Sequence, residues 1–264
     1  MIRLVLAVAM LTGLVAVAAP VPKGQWATVR GRVAWPKGEE IPEAMLINVT
    51  NDKVACCAGT LRSDELLIDP KTRGVKNVLV WLRPDTKEWT DPFPKGRIHP
   101  DLAKAKPVNR VVKMEKCQFV PRVFAARAGD TWEFKNLDAV PHNANANHNN
   151  DDATDFNVLI PVGKTHSPKE PLKAQLSPIY FKCDIHPWMT GRGRVFDHPY
   201  FAVTDKDGTF AMPLVPAGVW RIVYWHQTGY HTGIDGRLGL LLKVGGPAER
   251  LDLKDVELEL PAPR

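Results

Sequence analysis

Short runs rich in Val, Ile, Trp and Phe recur along this chain, each closed off by Gly, Pro, Asn or Asp. After the first twenty residues no helical periodicity is sustained. Runs of this length and composition suit half-buried or fully buried strands, and the punctuation between them suits turns. The chain is therefore expected to be all-β, built as sandwiches. Expected strands are 27–35, 44–49, 76–82, 109–114, 122–126, 131–135, 156–159, 179–183, 193–196, 200–204, 209–212, 219–226 and 239–244. A loop from Arg83 to Pro107, with five prolines and many charges, is expected on the surface. The stretch HNANANHNNDD from His142 to Asp152 reads as a solvated polar loop. Asp205-Lys206-Asp207-Gly208 reads as a hairpin turn, since Gly and Asp tolerate positive φ.

The first nineteen residues stand apart. Arg3 gives a short positive start, Leu4–Ala19 is uncharged and largely apolar, and Ala16-Val17-Ala18 has the small-x-small form of a cleavage site. Residues 1–19 are expected to be a signal peptide, cleaved after 18 or 19, which places the protein in the periplasm or outside the cell. No later segment has the roughly 20 apolar residues needed to cross a bilayer. The excess of 35 Lys and Arg over 29 Asp and Glu is spread along the chain without a basic block, so nucleic acid is not an expected partner.

Export also allows disulfides. Of four cysteines, Cys56 and Cys57 are adjacent, and either could pair with Cys117. That leaves Cys183, and an unpaired thiol in an oxidising compartment suggests a metal. Cys183 stands in Cys-x2-His-x2-Met, with His186 and Met189 at the later positions. With 4 Cys, 8 His and 6 Met in 264 residues, composition alone gives that spacing about 0.003 times. His142 lies some forty residues upstream, within Pro141-His142-Asn143. Two imidazoles, a thiolate and a weak thioether are the donor set of a mononuclear electron-transfer copper site; the soft sulfurs favour copper over zinc. Each residue also has a plainer reading: a buried thiol or cystine for Cys183, a structural imidazole for His186, core for Trp188 and Met189.

Cys183-Asp184-Ile185-His186-Pro187-Trp188-Met189 resembles the short, amicyanin-like ligand loop of cupredoxins. Cys117-Gln118-Phe119-Val120-Pro121, the segment Gly129–Asn136 (G-D-T-x-x-F-x-N) and Pro141-His142-Asn143 extend the likeness over 108–197. It is similar to the plastocyanin-like modules of exported bacterial methylamine-utilisation-like proteins. The resemblance implies a Greek-key β-sandwich with one type 1 copper ion held by His142, Cys183, His186 and Met189. It implies too that the Asn143 backbone N–H hydrogen-bonds the Cys183 sulfur. His186 would show its ring edge at the surface within a collar of Pro187, Trp188 and Met189, where redox partner proteins would dock. The polar insert Asn145–Asp155 is longer than such a module needs, and His148 is a rival or auxiliary ligand.

A second resemblance lies in the flanks. Gly31-Arg32-Val33, the strand within 74–82, Asp205–Phe210 (D-x-D-G-x-F) and Val215–Trp220 look like a carboxypeptidase regulatory-like β-sandwich. The expected organisation is thus residues 20–107 and 198–264 as one small sandwich, with the cupredoxin inserted in it or adjacent to it. The expected role is a one-electron carrier. Copper delivery or storage, or an extracellular binding module, is the alternative. No enzymatic activity is expected: the chain has no His-x-His pair for an oxygen-reducing copper cluster and no second Cys between Cys183 and His186. It also lacks a G-x-S-x-G or phosphate-binding motif.

Overall fold

The computed structural model describes residues 25–56, 60–147, 155–245 and 250–260. The expected signal peptide at 1–19, Cys57 and His148 lie outside them. The described strands, in chain order, are β1 (Trp26–Ala34), β2 (Leu46–Ile47), β3 (Leu61–Arg62), β4 (Leu79–Pro84), β5 (Asn109–Glu115), β6 (Gln118–Val120), β7 (Val123–Arg127), β8 (Thr131–Asn136), β9 (His142–Asn147), β10 (Phe156–Ile160), β11 (Thr165–His166), β12 (Ile179–Lys182), β13 (Thr190–Phe196), β14 (Phe201–Val203), β15 (Thr209–Pro216), β16 (Gly218–His226), β17 (Gly229–Tyr230), β18 (Leu240–Val244), β19 (Arg250–Asp252) and β20 (Val256–Glu257). The described helices are three to five residues long, and none is long or apolar enough to cross a membrane.

Strands β5–β13 make two sheets that face each other. One has the order β10-β9-β12-β13-β7, the other β11-β8-β5-β6. The chain passes between them repeatedly, and β5–β8 and β7–β13 pair parallel, in the Greek-key manner. Strand alternation fills the space between. Val112, Met114, Trp132, Phe134, Phe119, Phe124, Ile179 and Phe181 all point inward and form one core. Phe181 lies at its centre, with Phe119 at 5.1 Å and Phe134 at 5.5 Å, both edge to face.

The remaining long strands make a second pair of sheets, β15-β1-β19 with β20 beside β1, and β14-β4-β16-β17 with β18 beside β16. The period of two explains why β4 and β16 are apolar at nearly every position. Val80, Leu82, Ile222 and Tyr224 face the core shared with β1 and β15. Leu79, Trp81, Val223 and Trp225 face the other way, onto Val123, Ala125 and Phe196 of β7 and β13. The two sandwiches are therefore stacked through a third apolar layer. Arg194 seals it, its guanidinium 4.2 Å from the Trp81 ring centroid.

Three expectations need correction. His142–Asn147 is not a loop but an inner strand between β10 and β12. Its N-A-N-A-N alternation turns Ala144 and Ala146 into the core. The proline-rich segment after β4 is not all surface, because Phe93 is buried and stacks on Trp220 at 4.7 Å. The turn at 205–208 does form, with Gly208 at φ 76°, but β14 and β15 belong to different sheets, so it carries the chain from one layer to the next.

Candidate metal centre

His142 opens β9, Cys183 follows directly on β12, and Met189 directly precedes β13. Because β9 pairs with β12 and β12 with β13, these residues meet at one end of the sheet. The seven-residue loop between β12 and β13 is closed by two backbone bonds, Cys183 N–H to the Met189 carbonyl (3.0 Å) and Met189 N–H to the His186 carbonyl (2.8 Å). The second of these folds His186 back over the strand ends.

The result is a compact donor cluster. His142 Nδ1 lies 2.9 Å from His186 Nδ1, and Cys183 Sγ lies 3.9 and 3.8 Å from them. His142, Cys183 and His186 are 0% exposed and Met189 is 1% exposed. Among the described residues Cys183 has no sulfur partner, whereas Cys56 and Cys117 form a disulfide. Of the two pairings left open by the sequence, this is the one the structure contains. The Asn143 backbone N–H reaches Cys183 Sγ at 3.5 Å.

Both imidazoles are fixed from behind. His142 Nε2 donates to Asp138 Oδ2 at 2.9 Å, and His186 Nε2 to Asp52 Oδ2 at 3.0 Å. Asp138 is itself held by the backbone N–H groups of Lys116 and Cys117. A ring that donates through Nε2 presents a lone pair at Nδ1 unless it also carries a second proton. Two such lone pairs facing each other at 2.9 Å repel, so the pocket requires a cation between them: a proton or a metal ion.

The titration shifts follow from this geometry. Burial drives the His142 pKa down, but the bonds to Asp138 and Cys183 outweigh it and raise it to about 9. Burial raises the Cys183 thiol, yet the bond with His142 and the Asn143 N–H bring it below its ordinary value. His186 is lowered, chiefly by burial, against the opposing pull of Asp52. The shifts move the Cys183 thiol toward thiolate and His186 toward the neutral ring, the metal-binding forms, whereas His142 stays protonated at neutral pH and must give up that proton to bind a metal.

Asn143 also governs the loop. Its Oδ1 accepts from Asp184 N at 2.6 Å, and its Nδ2 donates to Asp184 Oδ2 at 3.0 Å. Asn145 and Asn157 donate to the same carboxylate oxygen. Lys182, first, and then these amides hold the Asp184 carboxyl well below the usual range. The asparagine-rich stretch thus clamps the loop that carries Cys183.

One expectation fails at this site. The His186 ring edge is not at the surface. Residues 49–56, from outside the β5–β13 strands, cover it and deliver Asp52 to Nε2. In the expected collar Pro187 is exposed, Trp188 is half-buried and donates through Nε1 to the Cys117 carbonyl, and Met189 is buried. Asp52, Asp138, Asp184 and Asn157 were not singled out by the sequence. The N-A-N-A-N alternation could have revealed the clamp, but nothing local announces Asp52, 134 positions from its histidine.

No family model and no curated protein matches the chain. Several solved structures align with part of it. A copper-containing nitrite reductase from Thermus scotoductus is 23% identical over 38% of this chain and 27% of its own, with a TM-score of 0.31. A mutant of amicyanin in its oxidised state is 20% identical over 36% of this chain and 88% of its own, TM-score 0.29. A purple cupredoxin from Nitrosopumilus maritimus is 18% identical over 33% of this chain and 98% of its own, TM-score 0.27.

Proposed function

We propose that residues 108–197 are a cupredoxin module that holds one type 1 copper ion and serves as a one-electron carrier. The carrying observation is the cluster itself: two Nδ1 atoms 2.9 Å apart, with an unpaired thiol sulfur within 3.9 Å of both and all three residues fully buried. The donor set fits copper, because His142, His186, Cys183 and the buried Met189 offer two imidazoles and two soft sulfurs. When bound, copper supplies a couple between its +1 and +2 states. The residues supply rigidity: Asp138 and Asp52 fix the rings, the Asn143 amide clamps the loop, and its backbone N–H steadies the sulfur. A site held this way can accept either oxidation state with little rearrangement.

The aromatic core beneath, centred on Phe181, keeps water from the sulfur side. Pro187 and the half-buried Trp188 are the part of the loop a redox partner protein would touch; such encounters typically bury less than about 1,200 Å². Strands β1, β4 and β14–β20 are read as a carboxypeptidase regulatory-like sandwich that carries the module, and the protein as exported to the periplasm or beyond. No catalytic role is assigned to the chain.

Voltammetry of the copper-loaded protein separates carrier from delivery protein. A carrier shows a reversible one-electron couple, one copper per chain, and keeps Cu(I) against a competing chelator. Cu(I) held tightly but with no reversible couple would favour copper delivery or storage instead.

A further inference from the structure

The end of the sandwich that holds the cluster is closed by a segment belonging to neither of its sheets. Strands β2 and β3 pair with each other, and the chain between them carries a helical turn, Lys53–Cys56. Val49 and Cys56 are buried in the same core as Phe181 and Cys183. The segment is attached at three points. Cys56 is bonded to Cys117, Asn51 Nδ2 donates to the Ile185 carbonyl at 2.9 Å, and Asp52 accepts from His186 Nε2 at 3.0 Å. Asp52 also begins the helical turn, its carbonyl accepting from Cys56 N–H at 2.9 Å. Its backbone is left-handed, at φ 50°.

We propose that this segment is a cap and that Asp52 is a positioning residue for His186. The role rests on the copper reading of the site. The carboxylate accepts the hydrogen bond from Nε2–H, which fixes the tautomer and leaves the Nδ1 lone pair for the ion. It also sets a negative charge one ring away from that ion, matching Asp138 behind the other ring. Two such charges favour the more positive oxidation state, so the cap lowers the reduction potential below what the four ligands alone would set. By burying the His186 edge, the cap also denies small external ligands a path to the centre.

The test uses Asp52→Asn and Asp52→Gly in the full chain. Asn and Gly both tolerate a left-handed backbone, so neither change strains the turn. Asn can still accept from Nε2–H but carries no charge; Gly removes bond and charge together. Three readouts apply: the reduction potential, the copper affinity, and the 15N shifts and exchange rate of the His186 ring N–H in metal-free protein. Both variants should show a higher potential. Asp52→Gly should also bind copper roughly 10- to 100-fold more weakly, the usual cost of removing a carboxylate behind a ligating histidine. In Asp52→Gly the ring proton should exchange faster and the tautomer preference should be lost, while Asp52→Asn keeps both. Unchanged potentials and an unchanged ring signal would overturn the proposal. If the wild type takes up no copper, the carrier reading fails, and the ring signal of the metal-free variants alone decides whether Asp52 positions His186.

Discussion

Removing the Cys56–Cys117 disulfide tests how the cap is held. The two residues are 61 apart in sequence, and their bond closes that loop in the unfolded chain. The chain-entropy relation for a loop of this length gives about 4.3 kcal/mol of stabilisation at 25 °C. For a chain of this size that corresponds to a fall in melting temperature of roughly 10 °C or more. The perturbation is Cys56→Ala with Cys117→Ala, since either change alone leaves a buried thiol beside His186. Urea unfolding of the metal-free protein, wild type against the double variant, reads the effect. The midpoint should fall, and the slope should rise slightly, because the unfolded chain without its crosslink exposes more surface. A loss below about 1 kcal/mol would refute the reasoning: the cap would then be held by Asp52, Asn51 and Val49, and the staple would be incidental to the folded state.

Two further outcomes follow. Gly191 faces the Phe181 ring, and a methyl group there would stand 2.3 Å from that ring and 2.8 Å from the Arg122 carbonyl. Gly191→Ala should cost about 1–3 kcal/mol in urea unfolding, as overpacking does, and an unchanged midpoint would show that Phe181 can move aside. Acid should weaken the metal-free fold well above the range where carboxylates titrate. His198 is pushed down to about 3, by burial and then by Arg194, and His226 to about 4, chiefly by burial. Both stay neutral in the folded protein but protonate on unfolding below pH 6.5. The stability they allow is complete above pH 6.5 and lost as pH falls toward 4, by roughly 1.4 kcal/mol per pH unit for each. Equal urea midpoints at pH 7 and pH 5 would contradict this.

The strand pattern and the clustering of Cys183 with His186 were legible because both are local. Val, Trp and Phe runs punctuated by turn residues are themselves the signal for strands, and Cys183, His186 and Met189 fall within seven residues. His142 could be reached because it stands within Pro141-His142-Asn143, a short way after the strand β8. Polar composition hid β9: six residues with three asparagines look solvated until the alternating alanines are counted. Asp52 was hidden by distance. A carboxylate brought to His186 from a different part of the chain leaves no spacing to read, and its effect, a buried ring where an exposed one was expected, emerges only from the packing of Val49 and Cys56. Asp138 is close to His142 in sequence, but four positions along a turn and a strand carry none of the meaning they would have on a helix.

Titration of the metal-free protein with Cu(II), followed in the visible range beside Cys183→Ser, bears most directly on the central claim. Wild type should develop an intense thiolate-to-copper absorption that saturates at one equivalent, and the serine variant should stay colourless. Copper uptake without that band, or a band that survives in Cys183→Ser, would contradict a centre built on His142, Cys183, His186 and Met189.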